Sequence, residues 1–232
     1  MAPDSPMVRL HHVSKRFTKG RETISIFDQL DLTIPRGDFV AVMGPSGSGK
    51  TTLLNLLGGI DRADAGEVNV ADRRIDGLYQ GDLARWRAAN IGFIFQFYNL
   101  MPMLTAAQNV ELPLLLTSLR GKERTARVET ALSVVNLADR LKHYPREMSG
   151  GQQQRVAIAR AIVSDPNLLL CDEPTGDLDR TSADEILVIL QLLNKDLGKT
   201  IVMVTHDPAA ARYARHMLHL DKGNFIEREL AA

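Results

Sequence analysis

Cysteine is almost absent: Cys171 is the only one in 232 residues. A single thiol cannot close an internal disulfide or build a multi-cysteine metal site, and this usage suits a reducing compartment. Net charge is missing as well. Lysine plus arginine and aspartate plus glutamate number 28 each, so no global field draws the chain toward nucleic acid or acidic lipid. Long apolar runs are lacking too. The longest, such as Leu112-Pro113-Leu114-Leu115-Leu116, fall far short of the ~20 residues that a membrane helix requires. Met1-Ala2-Pro3-Asp4-Ser5-Pro6 shows no charged-then-apolar signal pattern. The expectation is a soluble, cytoplasmic chain that only a partner could hold at a membrane.

What is present is an alternation of short β-rich runs and helical patterns, with no low-complexity linker and no internal repeat. Strands are predicted over Met7 to Val13, Leu30 to Ile34, Phe39 to Met43, Glu67 to Val70, Ile91 to Phe95, Leu168 to Cys171, Ile201 to Val204 and Met217 to Leu220. Phe39 to Met43, Leu168 to Cys171 and Ile201 to Val204 are continuously apolar, as central parallel strands covered on both faces must be. The early strands, broken at Lys19-Gly20-Arg21 and Pro35-Arg36-Gly37-Asp38, read as an antiparallel layer. Strand signals vanish between Thr105 and Tyr144. There Val128, Ala131, Leu132 and Val135 recur at helical spacing over Thr125 to Leu137. The fold class is therefore α/β: a mainly parallel sheet, an antiparallel β layer and an inserted helical subdomain, which together with the G-x-x-x-x-G-K-[ST] stretch Gly44 to Thr51 make the core that of a phosphate-loop NTPase. A core over about residues 1–96 and 150–232 would flank a subdomain over about 97–149.

Gly44-Pro45-Ser46-Gly47-Ser48-Gly49-Lys50-Thr51 matches G-x-x-x-x-G-K-[ST] between an apolar strand and a helical run that begins at Thr52. Its glycines let backbone N–H groups converge on phosphate oxygens, assisted by the positive end of the helix dipole. Lys50 is placed for the β- and γ-phosphates of a nucleotide, and the Thr51 hydroxyl for Mg²⁺. Asp172 ends a buried strand, where it can orient Mg²⁺ or its waters. Glu173 follows, where a carboxylate can take a proton from attacking water. Cys171, just before them, reads as core filling.

A second glycine-rich stretch, Met148-Ser149-Gly150-Gly151-Gln152-Gln153-Gln154-Arg155, precedes the helix carrying Val156, Ala159 and Val163. It offers a hydroxyl, free backbone N–H groups and a helix dipole, a second anion-binding surface. Taken in order, the phosphate loop, Gln96, Ser149 to Gln152, Asp172-Glu173, Asp177-Leu178-Asp179 and His206 resemble the ATP-binding cassette (ABC) family, from Met7 to about Leu220.

That resemblance implies an ATP-hydrolysing subunit with ATP and Mg²⁺ as cofactors, working as a homodimer with a second ATPase subunit. Each nucleotide would lie between one chain's phosphate loop and the other's Ser149, Gly150, Gly151 and Gln152. Gln96 would contact Mg²⁺ or the attacking water, His206 the γ-phosphate, Asp179 the dimer partner, and Phe17 would stack on adenine. Three positions depart from the family pattern: phenylalanine for tyrosine at Phe17, methionine for leucine at Met148, and aspartate for asparagine or alanine at Asp177. Finer stretches, Leu56 to Asp61, Phe95 to Leu100, Ala107 to Pro113 and Asp172 to Gly176, look like the lipoprotein-release and macrolide-exporter branch. Its members energise permeases of the FtsX type, with a periplasmic adaptor in some systems. The subunit would then sit peripherally on the inner face of the cytoplasmic membrane. An apolar cluster of Phe97, Tyr98, Leu100, Met101, Met103 and Leu104 would supply part of a groove for a permease helix. Two other readings stay open: an FtsE-like regulator of cell-wall hydrolases without transported substrate, and a non-transport ABC ATPase acting on DNA or ribosomes. The second is disfavoured by balanced charge and by the lack of heptads or a second phosphate loop.

Overall fold

The computed structural model describes residues 5–20 and 22–226. Met1 to Asp4, and Arg21 of the expected break, lie outside the described residues. Among the described residues ten strands divide between two sheets. The first is antiparallel, in the order β2 (Glu22–Ile34), β1 (Val8–Lys19), β4 (Ala65–Val70) and β5 (Arg73–Arg74). The second has the order β10 (Asn224–Ile226), β9 (His216–Asp221), β3 (Phe39–Met43), β8 (Thr200–Val204), β7 (Leu168–Asp172) and β6 (Ile91–Phe95). All its pairings are parallel except that of β10 on the edge.

The unbroken apolar runs of β3, β7 and β8 are explained by burial on both faces. Val40, Val42, Leu168, Leu170, Val202 and Val204 pack with the antiparallel sheet and with α1 (Lys50–Leu57). Phe39, Ala41, Leu169, Cys171, Ile201 and Met203 point the other way. There they meet α3 (Ala106–Glu111), α4 (Gly121–Val134), α5 (Gly150–Ile162) and α6 (Arg180–Lys195). Two further helices are α2 (Gln80–Asn90) and the single turn α7 (Pro208–Ala211). Each fully buried leucine, isoleucine or valine contributes about 1.5–3 kcal/mol of transfer free energy, so alternation along three strands commits both faces to cover. Cys171 is fully buried, and burial pushes its thiol well above the ordinary range.

The eight predicted strands are present, with differences at their limits. β1 and β2 continue well past Val13 and begin well before Leu30. Polar residues such as Lys15, Arg16 and Thr18 hid the continuation, and the β1–β2 pairing supplies what the apolar pattern lacks. β5 and β10 carry no apolar alternation and exist as edge partners of β4 and β9. The helix expected over Thr125 to Leu137 runs instead from Gly121 to Val134. Its start is fixed by the Arg120 N–H donating to Glu123 Oε2 at 2.7 Å, and beyond its end Asn136 turns left-handed (φ 58°).

One consequence of the parallel sheet decides where the chemistry falls. Val42 is in register with Val204, Val204 with Asp172, and Asp172 with Phe95. The loops after β3, β8, β7 and β6 therefore leave the sheet side by side at its carboxyl edge, where ligands of such sheets bind. Those loops begin with Gly44, Thr205, Glu173 and Gln96.

Candidate active site

At that edge lies a cleft of about 480 Å³. Ser46, Gly47, Gly49, Lys50, Thr51 and Thr52 line it from the phosphate loop, with Glu173, Val204 and His206 from the ends of β7 and β8 and Ile26 from β2. Gly44, Pro45 and Ser48 shape the loop. Gly49 is the N-cap of α1 at φ 102°, and a Cβ there would come within 2.9 Å of both Ile26 and the Phe27 ring. No other residue type suits both the conformation and the space. Lys50 is largely buried, and its Nζ donates to Gly44 O at 2.8 Å and Pro45 O at 2.9 Å. The lysine thus cross-braces its own loop with two donors and keeps a third. Ser48 Oγ is buried without a hydrogen-bond partner among the described residues.

Thr51 Oγ1 donates to Asp172 Oδ2 at 3.2 Å, joining the loop to the end of β7. Burial raises the Asp172 carboxyl above the ordinary carboxylate range; the Glu173 charge adds to the rise, while the Thr51 hydroxyl and Lys50 oppose it. Glu173 holds a left-handed backbone (φ 49°), pinned by its N–H donating to Val204 O at 2.9 Å. Strained non-glycine backbone of this kind persists where the surroundings over-determine it, often at reacting sites. Glu173 Oε2 lies 2.5 Å from His206 Nδ1. An acid, a base and a phosphate cradle thus meet in one place.

Other residues singled out in the sequence lie apart from the cleft lining. Gln96 donates from Nε2 to Asp177 Oδ1 at 3.1 Å, which gives the unusual aspartate a definite partner. Phe17 is 43% exposed on β1, with Lys15 Nζ 4.7 Å from its ring centroid. That ammonium is itself fixed by Asp61 Oδ1 at 2.7 Å and Arg62 O at 2.9 Å. Ser149 caps α5: its Oγ accepts from the Gln152 N–H at 3.3 Å, and Gln152 Oε1 accepts from the Ser149 N–H at 3.1 Å. Gly150 lies under Tyr98, where a Cβ would come 2.8 Å from the phenol oxygen, and Gly151 packs on Ser182. Asp179 caps α6, accepting from the Ser182 N–H at 3.0 Å and the Ser182 hydroxyl at 2.7 Å. The Ser182 N–H, with its hydroxyl, holds the Asp179 carboxyl below the usual range.

Sequence reasoning missed Gln154. It is fully buried in α5, and its Nε2 donates to Phe95 O at 3.1 Å and to Pro174 O at 2.5 Å. Phe95 immediately precedes Gln96, and Pro174 immediately follows Glu173. One amide thus ties the glycine-rich helix to both loops. The only signal was its place in Met148 to Arg155, where three consecutive glutamines look interchangeable.

Fold and cleft define a phosphate-loop NTPase whose catalytic edge is assembled from four adjacent β-strand ends. Comparison with known proteins carries this further. A family model described as "ABC transporter" matches residues 27–176, well over half of the chain. A lipoprotein-releasing system ATP-binding protein LolD of Chromohalobacter salexigens is 42% identical, over 95% of this chain and 93% of that protein. A macrolide export ATP-binding/permease protein MacB of Marinobacter nauticus is also 42% identical, over 96% of this chain but 34% of that longer protein. Among solved structures, a dimeric post-hydrolysis state of the ATP-binding cassette MJ0796, bound to ADP and Pi, superposes with a TM-score of 0.88. It shares 41% identity and covers 97% of this chain and 99% of that one. The chain belongs to the ABC transporter family and is an ATP hydrolase of that class. Among the described residues no helix is long and apolar enough to cross a membrane.

Proposed function

We propose that this chain is the ATP-hydrolysing subunit of a membrane transporter, closing as a homodimer around two ATP molecules to drive conformational work in a permease of the FtsX type. Export or lipoprotein release is the cargo process this reading favours. The observation that carries the dimer is spatial. The cleft gathers the phosphate loop, Glu173 and His206, yet Ser149, Gly150, Gly151 and Gln152 are absent from its lining. A helix N-terminus with an exposed hydroxyl and a glycine pair suits an anion, and the nucleotide of a second copy is the anion it would meet.

Within one cleft the roles follow from position. The phosphate loop would wrap the phosphates, with Lys50 turning its remaining donor to the β- and γ-oxygens. Phe17 would stack on adenine. Glu173, oriented by His206, would take the proton of the attacking water, while the exposed face of His206 reaches the γ-phosphate. Gln96 would position the same water, and Asp179 would act across the dimer. The donor set fits magnesium: Thr51 Oγ1 and Asp172 Oδ2 are 3.2 Å apart, near the ~2.9 Å edge of an octahedron with bonds of about 2.0–2.1 Å. When bound, Mg²⁺ would neutralise charge on the β- and γ-phosphate oxygens.

The permease would dock in a second cleft of about 460 Å³, lined among others by Arg87, Phe93, Phe95, Pro113 and Leu116. Phe97, Met101 and Met103, on the segment that also carries the lining residues Phe95 and Asn99, are exposed, while Leu100 packs onto the core. Aromatic and methionine side chains that stay in water suit the reception of an amphipathic helix. A helix lodged there would press on the loop of Gln96, and through Tyr98 on Gly150.

Cross-linking tests the reading. Ser46→Cys and Ser149→Cys, combined with Cys171→Ala and Glu173→Gln, are expected to form a disulfide between two chains only when ATP is present. Linkage confined to single chains, or independent of ATP, would falsify the dimer arrangement.

A further inference from the structure

We propose that His11, His12 and Asp31 form a site for a borderline divalent metal ion of the zinc, cobalt and nickel class. The site lies on the antiparallel sheet, and none of the three residues lines the nucleotide cleft. In a regular strand, consecutive side chains leave on opposite faces, so adjacent histidines would not share a ligand. Here the β1–β2 register breaks: Leu10 pairs with Leu32 and Val13 with Leu30, so two histidines stand opposite the single residue Asp31. His12 is left-handed (φ 48°), and this two-against-one bulge turns both rings toward one carboxylate. The neighbouring strand makes room for it. Gly66 at the start of β4 has φ 88°, and a Cβ there would come 2.3 Å from His12 O, so the bulged backbone sits against a position open only to glycine.

The distances suit coordination. His11 Nδ1 lies 3.3 Å from Asp31 Oδ1 and His12 Nδ1 lies 3.4 Å from Asp31 Oδ2. A tetrahedral site with metal–ligand bonds of about 2.0–2.1 Å has edges of about 3.3–3.4 Å. The two histidine contacts fall on different oxygens of the carboxylate. With one oxygen taken from Asp31, all three ligand atoms still lie within 4.8 Å of one another, and the ring centroids are 4.0 Å apart, so small rotations of the exposed rings and carboxylate bring the three edges to that length. The His12 N–H donates to Asp31 Oδ1 at 2.9 Å and orients the carboxylate, as supporting hydrogen bonds do for metal ligands. Two imidazole nitrogens with one carboxylate favour zinc, cobalt or nickel over magnesium or calcium, which take oxygen ligands. All three side chains are more than half exposed, so an ion enters without any opening of the fold, and water completes its shell.

The test uses the full, tag-free chain, stripped with chelator and free of nucleotide. Zn²⁺ is titrated by calorimetry and Co²⁺ by its visible absorption. Other histidine–carboxylate pairs, His206 with Glu173 and His216 with Asp38, offer competing ligands, so the comparison is with His11→Gln, His12→Asn and Asp31→Asn. The expected result is one Zn²⁺ site with Kd tighter than roughly 100 μM that weakens at least tenfold in all three variants. Wild-type binding weaker than that limit, or a tightest site that any one variant leaves intact, overturns the three-ligand set. Should a variant misfold, protection of His11 and His12 from carbethoxylation by Zn²⁺ in the wild type, read by mass spectrometry, decides: protection of both supports the site, and its absence rejects it.

Discussion

Replacing Gln154 by leucine separates packing from hydrogen bonding at the junction of α5 with two loops. The side chain is wholly buried, and its Nε2 serves the carbonyls of Phe95 and Pro174. Leucine keeps most of the volume and removes both donors. Each buried carbonyl stripped of its partner costs about 1–3 kcal/mol, and the apolar replacement offsets part of this, so a net loss of about 2–4 kcal/mol follows. At about 2.1 cal/mol/K per residue over 232 residues, the unfolding entropy is about 0.5 kcal/mol/K, so Tm should fall by about 4–8 °C. Turnover should suffer more than binding. The phosphate loop is untouched, so KM for ATP holds, while loosened loops at Gln96 and Glu173 lower kcat by about 10²-fold. Gln154→Glu sharpens the test, because it matches the shape yet turns a charged acceptor toward two carbonyls; it should be less stable than Gln154→Leu. Circular dichroism melting and a phosphate-release assay measure both effects. Leucine within 1–2 °C of wild type at unchanged kcat (about 0.5–1 kcal/mol), or glutamate more stable than leucine, refutes the reasoning.

Three further outcomes are expected. Glu173→Gln should leave ATP binding intact, cut hydrolysis by at least about 10²-fold and trap an ATP-bound dimer on size-exclusion chromatography; near-normal phosphate release would remove the carboxylate from its role. Phe17→Ala should weaken ATP binding by about 1–3 kcal/mol while Phe17→Tyr stays close to neutral, and equal affinities by calorimetry would show that the ring does not touch the base. Asp179 carries a pH dependence: its carboxyl is held below the usual range by the Ser182 N–H and hydroxyl, so the stability it contributes is present above the unfolded value and lost as pH falls through the depressed one. Asp179→Ala should therefore melt below wild type at neutral pH, with the gap closing in acid, whereas Asp179→Asn keeps the cap; a gap that ignores pH would assign the loss to something other than the charge.

What could be read from the chain and what could not divide along one physical line. β3, β7 and β8 are buried on both faces, so their apolar runs needed no partner to be recognised, and the candidate residues at or just past their ends were legible with them: Gly44 to Thr51, Asp172-Glu173 and His206. Lys15 to Thr18 and Glu22 to Ile24 form strand only because β1 and β2 pair, and pairing leaves no mark in a half-exposed polar sequence. The bulge that faces two histidines with Asp31 was hidden for the same reason, since it is a property of register between strands. Gln154 and Asp177 were hidden differently. Each makes a hydrogen bond across more than fifty residues, to Phe95 and Gln96 respectively, and both acceptor and donor types are common enough on any surface to pass unnoticed. These unreadable contacts all converge on the loop after β6. Gln96 leans on Asp177 and Tyr98 on Gly150, while Gln154 holds the Phe95 carbonyl and Arg160 the carbonyls of Tyr98 and Asn99. A loop so tied, between an apolar cleft and the carboxyl edge of the sheet, cannot shift on one side without moving the other. Under the proposed function, that linkage would let a permease feel the state of the nucleotide.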